Sequence, residues 1–273
     1  MEKKLPEGDA LILGGDITLI NCLDPDSPHY HDGRQLRERT MAFFDRCGRS
    51  FGRVFYIIGN HEAYNYNLTW APAVIRKTFP KVTLLDDSVI DLGSEVILVG
   101  GTLWTDMRQG KAAFAVGRAM NDFRCITVHD PKTHHERRFT PEDAVVRFKK
   151  TKALIARTAK KHKDKIIVVA THHAPDVRAI NPEHVDDRYG INHGYYTDLS
   201  GFIAEHRNIK WWTCGHTHIQ TSFNVAQCTV ISNARGYVRR EYSADTFTPE
   251  CWFNPLDGTL RKPGAFRRAR VPA

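Results

Sequence analysis

The sequence predicts an α/β protein, and three observations support that class. Short apolar runs typical of buried strands alternate with stretches of helical periodicity. Several of these runs end in a turn that carries an aspartate, an asparagine or a histidine. The chain has 273 residues, of which 41% are hydrophobic and 26% are charged, as in an ordinary globular protein. We therefore expect one α/β domain over residues 1–273, with short antiparallel additions near the C-terminus.

The elements of the first half follow from this alternation. A strand ends at Asp16, and the following loop, 21–33, is rich in Asp, Pro and His. An amphipathic helix is predicted from about Arg34 to Cys47, and it leads to a strand that ends at Gly59. Further strands are expected at 82–85, 88–91 and 95–100.

The second half begins with a segment of weak periodicity, 108–140, which predicts an irregular or helical lid-like insertion. Thr140 is then a good N-cap, with Pro141 at the first position of a helix that should end near His162. Strands are expected at 166–170 and 210–214, followed by a strand-rich region, 220–254, and a basic tail, 261–273.

Composition limits the classes of protein. No apolar run approaches the roughly 18 residues that a membrane span needs, and no secretion signal is visible. The six cysteines are scattered without a Cys-x-x-Cys motif, which favours a reducing compartment, so we expect a cytoplasmic protein. The net charge of +8 favours phosphorylated partners, nucleic acid among them, or reflects only a solvated basic surface.

Four motifs place polar side chains where predicted strands end. They are Gly15-Asp16, Gly59-Asn60-His61-Glu62, Thr171-His172-His173 and Gly215-His216-Thr217-His218. Open sheets bind ligands beyond one end of their strands, so these turns can converge on one site. A carboxylate, a carboxamide and several imidazoles suit Mn, Fe, Zn or Ni. The motifs therefore predict a site for a divalent transition metal.

In this order, the motifs resemble those of the calcineurin-like metallophosphoesterase family. Further segments resemble a bacterial and phage branch related to cyclic-nucleotide phosphodiesterases, namely 101–106, 120–123, 171–175 and 233–237. The resemblance extends from about Leu5 to Pro255. It implies a two-sheet sandwich flanked by helices. It also implies a metal-dependent phosphohydrolase that cleaves a phosphodiester or phosphomonoester of a nucleotide-like substrate through a metal-activated hydroxide.

The resemblance also implies roles for single residues. Manganese is the first choice of metal, and Asp16 would bridge two ions. The remaining ligands would be Asn60, His172 and His216 on the second ion and His218 on the first. His61 would be catalytic, since an imidazole can orient or protonate the leaving oxygen.

One ligand within these motifs has an alternative, and the geometry of another pair can be anticipated. We prefer His172 to His173 as the ligand because it directly follows a threonine, as the ligand does in similar proteins of the family, and His173 then packs or supports its neighbour. His216 and His218 flank Thr217, and an extended segment would send both imidazoles to the same side.

Several other residues either line a substrate pocket or serve packing. Asn121, Asp122 and Arg124 lie in the predicted lid-like insertion, so they contact substrate or pack that insertion. Arg235 binds a phosphate with two hydrogen bonds or holds the C-terminal sheet. His173 belongs to the same group of candidate substrate contacts.

The family also carries an Asp-x-His motif, which this sequence does not contain. The first ion would then keep only Asp16 and His218, so we expect one tightly held ion and one weak site. Either the chain starts late or the site is degenerate. A degenerate site would suit a non-catalytic protein that binds a partner or nucleic acid.

Overall fold

The computed structural model describes residues 5–93, 95–182, 185 and 187–263, so most of the predicted basic tail lies outside the described residues. The helices are α1 (Arg34–Ser50), α2 (Ala71–Thr78), α3 (Ala113–Ala119), α4 (Asp122–Cys125), α5 (Pro141–Lys161), α6 (Ser200–Glu205) and α7 (Tyr242–Thr246). The strands are β1 (Gly8–Leu13), β2 (Phe51–Tyr56), β3 (Tyr66–Asn67), β4 (Thr83–Leu84), β5 (Ser88–Gly93), β6 (Val96–Gly101), β7 (Ile126–His129), β8 (Glu136–Arg138), β9 (Ile166–Thr171), β10 (Ile209–Cys214), β11 (Gln220–Val225), β12 (Cys228–Asn233), β13 (Trp252–Phe253) and β14 (Leu260–Arg261).

Two sheets form the body of the molecule. The smaller has the order β1-β2-β4, and its strands are parallel. The larger has the order β11-β12-β10-β9-β6-β5, with a parallel centre from β12 to β6 and antiparallel strands at both edges. The antiparallel β11–β12 hairpin is the C-terminal addition that the sequence predicts.

An apolar layer joins the two sheets. Phe55 of β2 lies in one buried cluster with Leu98, Val168, Trp211 and Ile231, which come from four strands of the larger sheet. Because side chains alternate across a strand, the neighbours of these residues face the other way. The layer therefore fills the space between the sheets, as in a sandwich.

Helices cover the outer faces. A second cluster contains Tyr56 of β2 and Val169 of β9. Each directly follows a residue of the first cluster in sequence, so it faces the opposite side of its strand. The second cluster also contains Phe44 of α1 together with Phe148 and Ile155 of α5. The predicted α/β class and the two-sheet sandwich flanked by helices are confirmed.

The longest helix, α5, begins where the sequence predicts. Thr140 Oγ1 accepts a hydrogen bond from the Asp143 amide (3.3 Å), and the Asp143 carboxylate accepts one from the Thr140 amide (2.9 Å). This reciprocal capping box satisfies two amides that a helix leaves unpaired. Helix α1 extends through Gly48 to Ser50, beyond the predicted end at Cys47.

The segment 108–140 contains more regular structure than predicted. It includes α3 and α4, and then β7 and β8, which form a three-stranded sheet with β3. The expectation of an irregular or helical segment is wrong for β7 and β8 because β7 pairs with β3, a strand distant in sequence. Local periodicity carries no information about such a pairing.

Among the described residues, no helix combines the length and the apolar character that a membrane span requires.

Candidate metal centre

The candidate site lies at the seam where the two sheets meet. Strands β1 and β2 of the smaller sheet end at the turns that carry Asp16 and Asn60, while β9 and β10 of the larger sheet end at His172 and His216. A hydrogen bond joins the sheets here, from His172 Nδ1 to the carbonyl oxygen of Gly14 (2.7 Å). The four turns that the sequence singles out therefore converge at one edge.

Two glycines allow the turns to approach closely. Gly15 has φ +96°, and a Cβ there would lie 2.5 Å from His172 Nδ1. A Cβ on Gly59 would lie 2.2 Å from Asp16 Oδ1. Any larger residue at either position would displace a side chain of the site, so both positions require glycine.

Asp16, His172 and His216 form a cluster whose potential ligand atoms lie within 4.8 Å of one another. His172 Nε2 is at the centre of the cluster. It lies 3.0 Å from Asn60 Oδ1, 3.0 Å from His216 Nδ1 and 3.5 Å from Asp16 Oδ2. The structure thus brings together four of the five predicted ligands.

The donor set fits a cation. Because the atom of Gly14 that His172 contacts is a carbonyl oxygen, which only accepts, Nδ1 must be the donor, and a neutral ring then carries its lone pair on Nε2. In that form the lone pair faces the oxygens of Asn60 and Asp16, which are acceptors as well, while the third neighbour, His216 Nδ1, can donate or accept. Acceptors converge in this way around a positive charge.

The state of His216 agrees with this interpretation. Burial, and then the neighbouring His173 and His172, hold its pKa well below the usual value for histidine, which favours the neutral form that binds metal. Its Nε2 is buried and has no hydrogen-bond partner among the described residues. The side chains present therefore fit a divalent metal ion.

His218, the fifth predicted ligand, lies outside this cluster. Its Nδ1 is 3.0 Å from the Glu241 carboxylate, and its ring meets the edge of Tyr237 at 4.6 Å between centroids. The expectation of an extended segment is wrong, because His216 and His218 have left-handed φ values of 63° and 52°.

The bend around Thr217 has two visible causes. Its amide donates to the carbonyl oxygen of Gly215 (2.7 Å), which closes a tight turn. Its hydroxyl donates to the carbonyl oxygen of Ala179 (2.5 Å), which anchors that turn to a neighbouring loop.

His61 lies beside the cluster rather than in it. Its amide donates to Asp16 Oδ1 (3.0 Å), and its Nε2 is 3.2 Å from the hydroxyl of Tyr237. The imidazole stacks on Tyr64, with ring centroids 4.4 Å apart. The ring is only partly buried, so it can meet a substrate that enters the site.

Glu62 organises the backbone beneath the site, a role that sequence analysis did not assign. Its carboxylate is fully buried and accepts hydrogen bonds from the Tyr56 hydroxyl and from four amides, those of Asp16, Ile17, Thr18 and Gly59. Burial and then the nearby Asp16 carboxylate raise the pKa of Glu62 to about 7, against the opposing effect of the hydrogen bond from Tyr56. One side chain thus ties together the turns after β1 and β2.

His173 lies beside the cluster and packs against it. It is buried, its Nδ1 is 3.3 Å from the carbonyl oxygen of Thr102, and its ring lies 5.1 Å from that of Trp104. Burial, and then the nearby His172, holds the pKa of His173 well below its usual value. Its ring also contacts His216, at 4.3 Å between centroids.

The other candidate substrate contacts are distributed over the surface and the interior. Asn121 and Arg124 are exposed and bond to each other, with Arg124 Nη1 3.3 Å from Asn121 Oδ1. Arg235 is exposed next to the turn at Gly236. Asp122 is buried and accepts a hydrogen bond from Asn60, one of the predicted ligands.

Comparison with known proteins gives a family. The family model for calcineurin-like phosphoesterases matches residues 2–220. Uncharacterized protein L509 of Acanthamoeba polyphaga mimivirus is 22% identical over 239 residues, which cover 81% of this chain and 80% of that protein.

Two solved structures share the architecture. Phosphopantetheinyl hydrolase from Mycobacterium tuberculosis has a TM-score of 0.52 at 16% identity and covers 87% of this chain and 84% of its own. A dimetal phosphatase from Danio rerio has a TM-score of 0.50 at 14% identity and covers 82% and 71%. At sequence identities this low, the similarity shows a shared fold and nothing further.

Proposed function

Because the chain belongs to the calcineurin-like phosphoesterase family, we propose that it hydrolyses a nucleotide-like phosphodiester or phosphomonoester with the help of divalent metal. The single observation that carries the proposal is the convergence of Asn60 Oδ1 (3.0 Å), His216 Nδ1 (3.0 Å) and Asp16 Oδ2 (3.5 Å) on His172 Nε2. The dimetal phosphatase of similar fold supports the same chemistry.

The metal would be held by Asp16, Asn60, His172 and His216. We propose Mn²⁺, with Fe, Zn or Ni as alternatives, because two oxygen and two imidazole ligands suit this range of ions. When bound, the metal would polarise the phosphate and lower the pKa of a water molecule. Asp16 has the anionic charge that a ligand shared by two cations needs, and His218 is the candidate for a second, weaker site.

His61 would act on the leaving group. It projects beside the ligands, with its backbone fixed by Asp16 and its ring held between Tyr64 and the Tyr237 hydroxyl. From that position, a protonated imidazole can donate a proton from Nε2 to the departing oxygen. Donation requires that Nε2 exchange its hydrogen bond with Tyr237 for one with the substrate.

The rim of the site suits a nucleotide-like ligand. Tyr237 is 44% exposed, and its ring lies next to both His61 and His218. An exposed aromatic ring can stack on a nucleobase. Arg235 lies two residues earlier and is exposed, a guanidinium can bind a phosphate through two hydrogen bonds, and the chain has a net charge of +8.

The test combines metal analysis with hydrolysis. Wild type and His216→Ala would be loaded with Mn²⁺, dialysed and analysed for metal, with His129→Ala on β7 as a matched histidine control. Activity would be assayed on bis(nitrophenyl) phosphate and nitrophenyl phosphate with each of the four metals. We expect wild type and His129→Ala to retain metal and hydrolyse at least one ester, and His216→Ala to lose both.

The outcomes separate the alternatives. Equal metal content in His216→Ala and wild type would contradict the assignment of the ligands. Retained metal without hydrolysis of either ester would favour the non-catalytic binding protein.

A further inference from the structure

The side chain of Asn60 can bind a metal ion in only one of its two amide orientations. Its amide has an oxygen at one end and an NH₂ group at the other, and the two ends have nearly the same shape. Only the oxygen can bind a cation. A site that relies on this residue therefore needs a second group that fixes which end faces the metal.

Asp122 is placed to do this. Asn60 Nδ2 donates to Asp122 Oδ1 at 2.8 Å, while Asn60 Oδ1 lies on the other side, 3.0 Å from His172 Nε2. A carboxylate only accepts hydrogen bonds, so it selects the NH₂ end of the amide. Asp122 is 1% exposed, so water cannot readily replace it as the partner of Asn60.

Tyr64 holds the carboxylate in place. Its hydroxyl donates to Asp122 Oδ1 at 2.6 Å, the same oxygen that accepts from Asn60. Its ring stacks on His61 at 4.4 Å. Burial raises the pKa of Asp122 above its usual value, and the hydrogen bonds from Tyr64 and Asn60 oppose this rise without cancelling it.

The position of Asp122 depends on elements distant from Asn60 in sequence. It is the first residue of α4, in the segment between α3 and β7. The next residue, Phe123, is buried and stacks on Phe139, with ring centroids 5.7 Å apart. The carboxylate is thus supported by the packing of its own helix.

We propose that Asp122, oriented by Tyr64, is a positioning residue that turns the amide oxygen of Asn60 toward the metal. The inference rests on the proposed metal site and adds to it a role for the region that contains α3 and α4. A hydrogen bond from the NH₂ group to a carboxylate also increases the electron density on the amide oxygen, which strengthens it as a ligand.

The test measures metal affinity rather than activity. Mn²⁺ binding would be followed by titration calorimetry for wild type, Asp122→Ala, Asn60→Ala and the double variant. We expect Asp122→Ala to weaken binding about 10–100-fold, the usual effect of losing such a supporting group. In the Asn60→Ala background the same change should have no further effect, because the amide it orients is absent.

Two conservative variants keep the test meaningful if Asp122→Ala does not fold. Asp122→Asn retains an acceptor oxygen without the charge, and Tyr64→Phe retains the stacked ring without the hydroxyl. Each should weaken binding by less than the alanine variant. The matched control is Tyr66→Phe, since Tyr66 also donates its hydroxyl to an aspartate, Asp24, and Asp24 is not a predicted ligand. Circular dichroism would confirm that each variant folds.

The outcomes separate the inference from the proposed function. Unchanged affinity in Asp122→Ala, or an equal loss in both backgrounds, would overturn the positioning role and leave the metal site standing. Unchanged affinity in Asn60→Ala, or no binding by wild type, would instead contradict the metal site and the inference together. Weakened binding in Tyr66→Phe would indicate that the loss of Mn²⁺ affinity in the Asp122 and Tyr64 variants comes from general destabilisation, and it would overturn the positioning role.

Discussion

Among single residues, Glu62 links more of the site's backbone than any ligand does. We predict that Glu62→Gln lowers the free energy of unfolding by about 1.5–3 kcal/mol, because an amide group replaces one acceptor oxygen of a buried carboxylate. Urea unfolding followed by circular dichroism, in metal-free buffer, would measure the loss. Glu205→Gln, at an exposed position on α6, is the control, and an equal effect in both variants would contradict this role.

The role of His61 can be tested through the leaving group. We predict that His61→Ala retains metal but loses about 10²–10⁴-fold in turnover on an alkyl phosphodiester, the usual range for general acid–base catalysis. The loss should be smaller for a nitrophenyl ester, because nitrophenolate leaves without protonation. Steady-state kinetics on both esters, with His129→Ala as control, would check this. Equal losses would remove His61 from that role.

The sequence predicts the site residues that directly follow a strand, but not the residues that support them. Asp16, Asn60, His172 and His216 each follow an apolar run, so the strand-end pattern singles them out. Glu62 and Tyr64 act on the same turns, but their importance lies in contacts that no spacing encodes. The sequence does place the Glu62 carboxylate directly after Asn60 and His61. A carboxylate that is buried in such a position needs hydrogen-bond donors around it.

Among the elements, α5 shows how a helix start is encoded locally. Burial would raise the pKa of Asp143, but the hydrogen bonds from Arg137 and Thr140 outweigh it, and the pKa is lowered. A carboxylate with a lowered pKa stabilises the fold above the unfolded value of about 3.9. That stabilisation is lost as the pH falls through the lower pKa of the folded state.

We therefore predict that Asp143→Asn destabilises the protein near neutral pH and that the difference from wild type shrinks below about pH 4. Urea midpoints at about pH 7, 5 and 3 would measure it. Glu142→Gln, one residue earlier in the same turn and exposed, is the control. A difference that stays constant with pH would contradict the role of the charge.

Elements with local signals were easier to predict than those that depend on distant partners. The cap at Thr140 and Pro141 gives the start of α5 directly. In contrast, β3 has only two residues and exists because it pairs with β7. The bend at His216 and His218 likewise depends on the bond from Thr217 to Ala179, which local sequence does not reveal.

For the whole molecule, the position of the site at the seam links metal binding to folding. Asp16 and Asn60 follow strands of one sheet, and His172 and His216 follow strands of the other. We predict that Mn²⁺ raises the thermal unfolding midpoint and that a chelator reverses the shift. Free metal at a hundredfold excess over Kd would add about 2.7 kcal/mol to the free energy of unfolding.

Differential scanning calorimetry of the wild type and His216→Ala would check this prediction. The variant should respond weakly, because three remaining ligands hold an ion poorly. A shift of the same size in His216→Ala would indicate that the metal stabilises the fold from another place.

The outer position of β1 has a kinetic consequence. Among the described strands, β1 is at the edge of its sheet and its first residues are exposed, whereas β9 and β10 lie inside the larger sheet. In the chain as given, local opening should therefore free the turn with Asp16 before it frees either histidine, once the bonds from Glu62 and His172 that hold this turn are broken. A bound ion would leave through fraying of this one strand, so the residence time of the metal would be determined at the edge of the small sheet, while its affinity is determined at the seam.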